Sequence, residues 1–346
     1  MSEKRKGKAV KSLRSEIKAN TSISYYFEKF IETKIAEGRA KRTIEKYRNN
    51  HGFFLEYLRQ KKIDHSIHEI TTGVIRSYIV WMLEEKIKFE GHRYKKEEEK
   101  TSGLAPSTVN TRIKTLRPFF KYLVTEGYIK DDPMTTIKDV KESQEKINIL
   151  TVDELKRLLN APNQRHYDDF RDYCLITLII DGFLRVSEAV TLIRTDLDLD
   201  SNVITVRGTN AKNRKARYIP IQKKTAQLLR ELMKETEEFD NEYIFLSNYG
   251  EQLNPNQFRK QLRNYAKQAG IKKRIHPHLL RHTSATMALE AGMDMRHLQI
   301  LLGHSDLRQV IRYTHLSNKS LINQQNQYSV LNQLSGKLNK DRKINR

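Results

Sequence analysis

Residues 202–222 run NVITVRGTNAKNRKARYIPIQ. Two β-branched segments, NVITVRG and ARYIPIQ, flank the polar and basic TNAKNRK, a pattern that predicts an antiparallel hairpin with a positively charged tip. The rest of the second half follows helical spacing, so this hairpin decides the fold class. The expectation is a mainly α chain of two domains: an N-terminal four-helix domain, then an α+β domain carrying a small antiparallel sheet.

Upstream of the hairpin, the run CLITLII at 174–180 reads as buried helix and leads directly into DGFLRVSEAVTLIRTDLD at 181–198. Further upstream, Thr151 followed three residues later by Glu154 marks a capping box that opens a new helix within ILTVDELKRLL. Earlier still, apolar residues recur at helical spacing in four segments, through Ile23 to Ile35, Ile44 to Leu58, Val74 to Met82 and Val109 to Leu123. Gly38 stops the first, and Ser107 after Pro106 is the expected N-cap of the fourth. The charge-dense stretch 87–103 reads as an extended loop inserted between the third and fourth helices. The expected boundaries are a basic arm at 1–20, the helical domain at 21–131, a linker at 132–147, the second domain at 148–320 and a tail at 321–346.

Composition narrows the partner. Among 346 residues, 64 Lys and Arg stand against 42 Asp and Glu, a net charge of +22 that favours a polyanion and makes nucleic acid the leading expectation. No apolar run approaches the roughly 18 residues of a membrane-spanning helix, and the first residues contain no apolar signal core. A cytoplasmic protein without a membrane partner is therefore expected. The single cysteine, Cys174, lies inside an apolar run and is read as packing.

Downstream of the hairpin, HPHLLRHTSAT at 276–286 places three histidines and an arginine in seven residues. As helix, His278 and Arg281 share a face, with His276 at the helix start beside Pro277. Three readings stay open at this point: a zinc site, for which Cys-x-x-Cys partners are lacking; a histidine-capped helix with a surface arginine; or ligands for a phosphate. Arg185, at the end of a buried helix, needs an anionic partner, and Glu188 one turn on can supply it. Lys212 in the hairpin tip, His304 after Gly303, and Tyr313 in IRYTHLS are each compatible with a solvated surface when taken singly.

Taken together, LRVSEA, AKNRKARYIP, HPHLLRHTSAT, LLGHS and IRYTHLS, in this order and at these separations, resemble the tyrosine recombinases, the phage-type integrases. The resemblance extends over roughly residues 21–335, with the four-helix part similar to the family's core-binding domain. It implies a site-specific recombinase that cuts and rejoins DNA through a covalent 3′-phosphotyrosine, without metal, ATP or other cofactor. It implies catalytic roles for Arg185, Lys212, His278, Arg281, His304 and the nucleophile Tyr313, with Glu188 supporting them from behind. His276 and His282 become neighbours that position the helix. Lys212 is preferred to Lys215 because it lies eight residues before Pro220.

Three departures from the family pattern stand out. Gly182-Phe183-Leu184-Arg185 replaces Gly-Leu-Arg and reads as one extra residue; the hairpin has Gly208-Thr209-Asn210-Ala211-Lys212 for a short Gly-Lys-Gly; and Leu279 stands where aspartate is common. The implied partners are double-stranded DNA, further copies of the chain in a DNA-bound tetramer linked through the C-terminal tail, and an accessory directionality factor. The basic arm and the 87–103 insertion favour integration and excision of a mobile element over Xer-like resolution of replicon dimers. A non-catalytic DNA-binding protein on the same fold is the other alternative.

Overall fold

The expected hairpin forms, as part of a three-stranded antiparallel sheet in the order β1 (Leu197–Asp198), β2 (Val203–Val206), β3 (Arg217–Pro220). Ile204 pairs with Ile219 and Val206 with Arg217. Because side chains alternate along a strand, Arg217 and Ile219 point inward while Tyr218 and Pro220 face out. The computed structural model describes residues 21–91, 93, 96–142, 148–211, 215–307 and 310. The chain divides into two compact units, Met1–Glu145 and Lys146–Arg346.

In the first unit, α1 (Ile23–Ala36), α2 (Lys41–Gln60), α3 (Thr72–Val80) and α4 (Pro106–Thr125) fall where the apolar spacing placed them. Their shared core is rich in aromatic residues, with Phe27, Phe30, Phe54, Tyr57, Tyr78, Phe119 and Phe120 buried. Gly38, at φ 72°, ends α1 in the left-handed conformation that glycine adopts without steric cost.

Two expectations are corrected here. Ser107 does not cap α4: Pro106 takes the first helical position, where its missing N–H costs nothing, and Ala105 is the cap residue. Part of the 132–147 stretch packs on the first unit rather than linking freely, with Met134 and Ile137 buried in its core. The buried Asn110 pins this segment, accepting from the Val140 N–H at 2.7 Å and donating to the Val140 carbonyl at 2.9 Å. Pro133 and the surrounding charges concealed these two apolar contacts in the sequence.

In the second unit α5 (Val152–Leu159) opens with the expected capping box, the Thr151 hydroxyl accepting from the Glu154 N–H and the Glu154 carboxylate from the Thr151 N–H. The largely buried α6 (Tyr167–Gly182) packs against α8 (Lys223–Glu235) and α10 (Pro277–Glu290). The short α7 (Val186–Ala189) follows α6, α9 (Pro255–Gln268) precedes α10, and α11 (Met295–Leu302) lies beside both α10 and β3. The core is mainly aliphatic, with Cys174 among its members, as the sequence reading held. Among the described residues, the buried arginines of this unit form two polar clusters. One joins Arg171 and Asp172 of α6 to Tyr265 of α9; the other lies where α6, α7, β3, α10 and α11 meet.

Candidate active site

The second cluster starts with the chain's exit from α6. Phe183 ends that helix in the left-handed region, φ 52°, ψ 31°, so the chain reverses and Arg185 becomes the first residue before α7. Phe183 stands two residues before Arg185, the place of the glycine in Gly-Leu-Arg. The departure noted in the sequence is therefore a bulky residue at a glycine-favouring position, and the expected extra residue is corrected. The strain, about 1–2 kcal/mol for a non-glycine residue, is offset by burial of the Phe183 ring among Ala285, Leu289, Leu298 and Leu302.

Arg185 and Glu188 are paired one helical turn apart. The guanidinium donates to Glu188 Oε1 at 2.7 Å and the Arg185 backbone N–H donates to Oε2 at 3.0 Å. Glu188 has a second partner that the sequence reading missed. Arg217 of β3 donates to Oε2 at 2.7 Å and to Oε1 at 3.3 Å, and its Nε donates to the Leu301 carbonyl at 3.0 Å. The signal was present in the period-two pattern of ARYIPIQ, where Arg217 falls on the same face as Ile219 and Ile221.

Arg281, from the first turns of α10, is buried and donates to the carbonyls of Phe183 at 2.6 Å and Leu302 at 2.5 Å. Its Nη1 lies 3.8 Å from Glu188 Oε2, and its Nη2 is 3.4 Å from His304 Nε2. His276 caps α10, its Nδ1 accepting from the Leu279 N–H at 3.1 Å. That role, positioning the helix that carries His278 and Arg281, is the one the sequence reading gave it. His304 is held by its own backbone, its N–H donating to the Gln299 carbonyl and its carbonyl accepting from Gln299 Nε2 at 3.1 Å. The preceding Gly303 has φ 60°, and a Cβ there would sit 3.1 Å from the Arg217 Cζ.

The charges of this site are mutually dependent. Burial pushes the Glu188 carboxyl up, but the hydrogen bond and charge of Arg217, with the N–H and charge of Arg185, outweigh it and hold the group ionised below the usual carboxylate range. Burial and the adjacent Arg281 and Arg185 push His304 down to about 4. His278 is lowered by partial burial, then by Arg281, His276 and Arg185. Both imidazoles are thus neutral at pH 7 while no anion is present. Among the described residues, three guanidiniums surround the Glu188 carboxylate. Arg185 keeps 16% of its side chain exposed against 4% for Arg281 and 6% for Arg217, so Arg185 reaches toward the open side.

Of the seven residues singled out in the sequence, the structure brings together Arg185, Glu188, His278, Arg281 and His304. Lys212 and Tyr313 lie outside the described residues. Among the described residues no group of three or more His, Cys, Asp or Glu is arranged to hold a metal ion, and no helix is long and apolar enough to cross a membrane. A surface combining paired arginines with neutral imidazoles can hold a tetrahedral oxyanion and exchange protons with it.

Both units of the chain match known protein families. The model of the phage integrase family matches residues 148–320, and that of the phage integrase SAM-like domain matches residues 22–141. The tyrosine recombinase XerC of Thermodesulfovibrio yellowstonii is 30% identical over 311 residues, covering 87% of this chain and 95% of its own. The tyrosine recombinase XerD of Listeria innocua is 35% identical over 225 residues, covering 63% of this chain and 75% of its own. Among solved structures, the Tn1549 transposon integrase in complex with a circular intermediate DNA superposes with a TM-score of 0.69 at 18% identity, covering 87% of this chain and 99% of that one. The XerH site-specific recombinase bound to a palindromic difH substrate gives 0.66 at 22% identity, covering 88% and 84%. At those identities the likeness establishes a shared fold.

Proposed function

The chain belongs to the phage integrase family, the tyrosine recombinases, and is a site-specific recombination enzyme; from that premise we propose that it cuts and rejoins double-stranded DNA through a 3′-phosphotyrosine on Tyr313. The observation that carries this reading is the convergence of Arg185, Arg281, His278 and His304 on one positively charged surface with Glu188 beneath it.

The chemistry follows from the residue types. The Tyr313 oxygen attacks the phosphorus, the bond from phosphorus to the 5′-oxygen breaks, and negative charge gathers on the two non-bridging oxygens. Arg185 and Arg281 brace that charge as planar donors that need no reorganisation. His278 takes the tyrosine proton or donates to the phosphate, and His304 donates to the same group. The incoming phosphate raises both imidazoles from their depressed state. Lys212 delivers a proton to the leaving 5′-oxygen. The phosphodiester's energy is retained in the protein–DNA bond, so a 5′-hydroxyl from another strand can reverse the step without ATP.

Both units are proposed to contact the duplex in a cytoplasmic, DNA-bound tetramer, with affinity that falls steeply with salt because the net charge of +22 displaces counterions. The biological outcome we propose is integration and excision of a mobile element, aided by a directionality factor, on the grounds of the lysine-rich 1–20 segment and the 87–103 insertion. Xer-like resolution is the second reading, favoured by a XerC relative matched over 95% of its length.

The test uses nicked duplexes drawn from DNA flanking the gene, resolved on denaturing gels for a covalent protein–DNA adduct. An adduct that is lost in Tyr313→Phe while binding persists is the expected result. Salt-sensitive binding with no adduct would instead indicate a non-catalytic DNA-binding protein. A cleavage site at the ends of the segment bearing the gene supports the mobile-element reading; one elsewhere in the replicon supports resolution.

A further inference from the structure

We propose that Arg217 is a positioning residue of the recombination site, joining the hairpin strand to the Arg185 turn and to the end of α11 and keeping Arg281 available for the phosphate. The proposal rests on the reading that Arg185, Arg281 and His304 hold the scissile phosphate.

Three contacts carry it. The Arg217 guanidinium makes a forked pair with Glu188, the carboxylate that also anchors Arg185. Its Nε holds the Leu301 carbonyl, one residue before the carbonyl that receives Arg281 and three residues before His304. Its guanidinium lies against Gly303, where an added Cβ would stand 3.1 Å from its Cζ and press it back by a few tenths of an ångström. One buried guanidinium therefore touches the supports of Arg185, Arg281 and His304 at once. It is also five residues after Lys212 in the sequence. Only arginine has enough donors in a fixed plane to bond both carboxylate oxygens and a carbonyl together; lysine carries the charge but not the fork.

The electrostatic consequence is specific. Arg217 occupies Glu188 Oε2 at 2.7 Å, whereas Arg281 remains 3.8 Å from that oxygen and bonds two neutral carbonyls instead. Without Arg217, Glu188 would keep only Arg185 as a close cation, and its Oε2, left with the Arg185 N–H alone, would draw Arg281 inward and away from the phosphate. The glycine of LLGHS also gains a reason: it supplies both the left-handed turn and the flat surface on which Arg217 rests.

The experiment measures the single-turnover rate of adduct formation on nicked flanking duplexes at saturating protein for wild type, Arg217→Ala and Arg217→Lys, together with DNA affinity and the rate from pH 5 to 9. For Arg217→Ala we expect a rate lower by about 10–100-fold, the usual cost of losing a support behind a reacting group, at unchanged affinity. Its acid limb should move to higher pH, because Glu188 loses its main partner and takes up a proton more readily. Arg217→Lys should return the acid limb toward wild type while recovering only part of the rate. Wild-type rates in both variants, or a loss confined to the fraction of folded protein with an unchanged pH profile, would overturn the proposal. If Arg217→Ala does not fold, Arg217→Lys decides alone: a reduced rate at full affinity upholds the proposal and a wild-type rate sinks it. A wild type that forms no Tyr313-dependent adduct would defeat the recombinase reading itself, a result distinguishable from unaffected Arg217 variants beside an active wild type.

Discussion

The two polar clusters of the second unit are built from the same residue types and have opposite characters. Around α6, Arg171 donates through Nε and Nη2 to Asp172 Oδ1 and through Nη1 to the Leu246 carbonyl, while Tyr265 donates to Asp169 at 2.5 Å. The cluster thus holds two carboxylates to one guanidinium, Asp172 bonded to Arg171 and Asp169 reached only through the Tyr265 hydroxyl, and burial pushes Asp172 up to about 6. Around Glu188 the ratio is reversed: three guanidiniums share one carboxylate, which is held below its usual range. Arg171 and Asp172 expose 4% and 0% of their side chains, whereas Arg185 exposes 16% and His278 lies at the surface. A buried ion cluster therefore points to a ligand when its charge is unbalanced toward an accessible rim; burial of charge alone points only to structure.

The largest expected effect separates the clusters by chemistry. Arg281→Ala should slow adduct formation by about 10²–10³-fold or more, as loss of a transition-state donor does. Arg171→Ala should lower stability by about 3–5 kcal/mol, since it leaves Asp172 buried without its cation, yet leave the rate per folded molecule unchanged. An equal loss of chemistry in both variants would end the distinction. A smaller effect is expected where strain and packing oppose each other. Phe183→Gly relieves the left-handed backbone but empties an aromatic site, for a net loss of about 2–3 kcal/mol in denaturant unfolding; a stabilised variant would show that strain dominates there. Tyr265→Phe, which removes one hydroxyl from the acidic cluster, should cost about 1–2 kcal/mol and leave adduct formation intact.

The smallest effect, and the sharpest in sign, is the dependence of stability on pH. Asp172 has its pKa raised on folding from 3.8 to about 6, so its stabilising contribution is complete below 3.8 and is lost as pH rises through about 6. Glu188 is lowered on folding, so its contribution is complete above 4.5 and is lost as pH falls through its folded value. Thermal midpoints measured from about pH 2 to 7 should show Asp172→Asn removing a component that declines as pH rises toward about 6, and Glu188→Gln removing one that increases as pH rises toward 4.5. Shifts of the same sign in both variants would contradict the assignment.

Much of this arrangement was legible before folding. The apolar spacing located α1 to α4, the Thr151 and Glu154 pair located the start of α5, and the β-branched runs located β2 and β3. The order of the five motifs named the family. Other features were hidden for definable reasons. Ser107 looked like a cap until Pro106 took the first helical position. The 132–147 stretch read as a linker because the partners of Met134 and Ile137 are far away in the chain and their neighbours are charged. Phe183 looked like an insertion because a sequence does not display φ, and a left-handed phenylalanine is tolerated only where α10 and α11 bury its ring. Arg217 was overlooked because an arginine near a basic hairpin tip resembles a solvated one; its inward orientation depends on strand register.

By itself, then, the sequence determined the mainly α two-domain class, the hairpin, the family, and the residue types able to bind a phosphate. Periodicity, turn chemistry and motif order are properties of neighbours along the chain. Only the tertiary structure decided that Glu188 is shared by Arg185 and Arg217, that Arg281 is tied to the carbonyls of Phe183 and Leu302, and that burial beside Arg281 and Arg185 lowers the pKa of His304. Those depend on which charges meet after the chain folds and how much water is excluded around them, and residues 183, 217, 281 and 304 become neighbours only when α6, β3, α10 and α11 pack together.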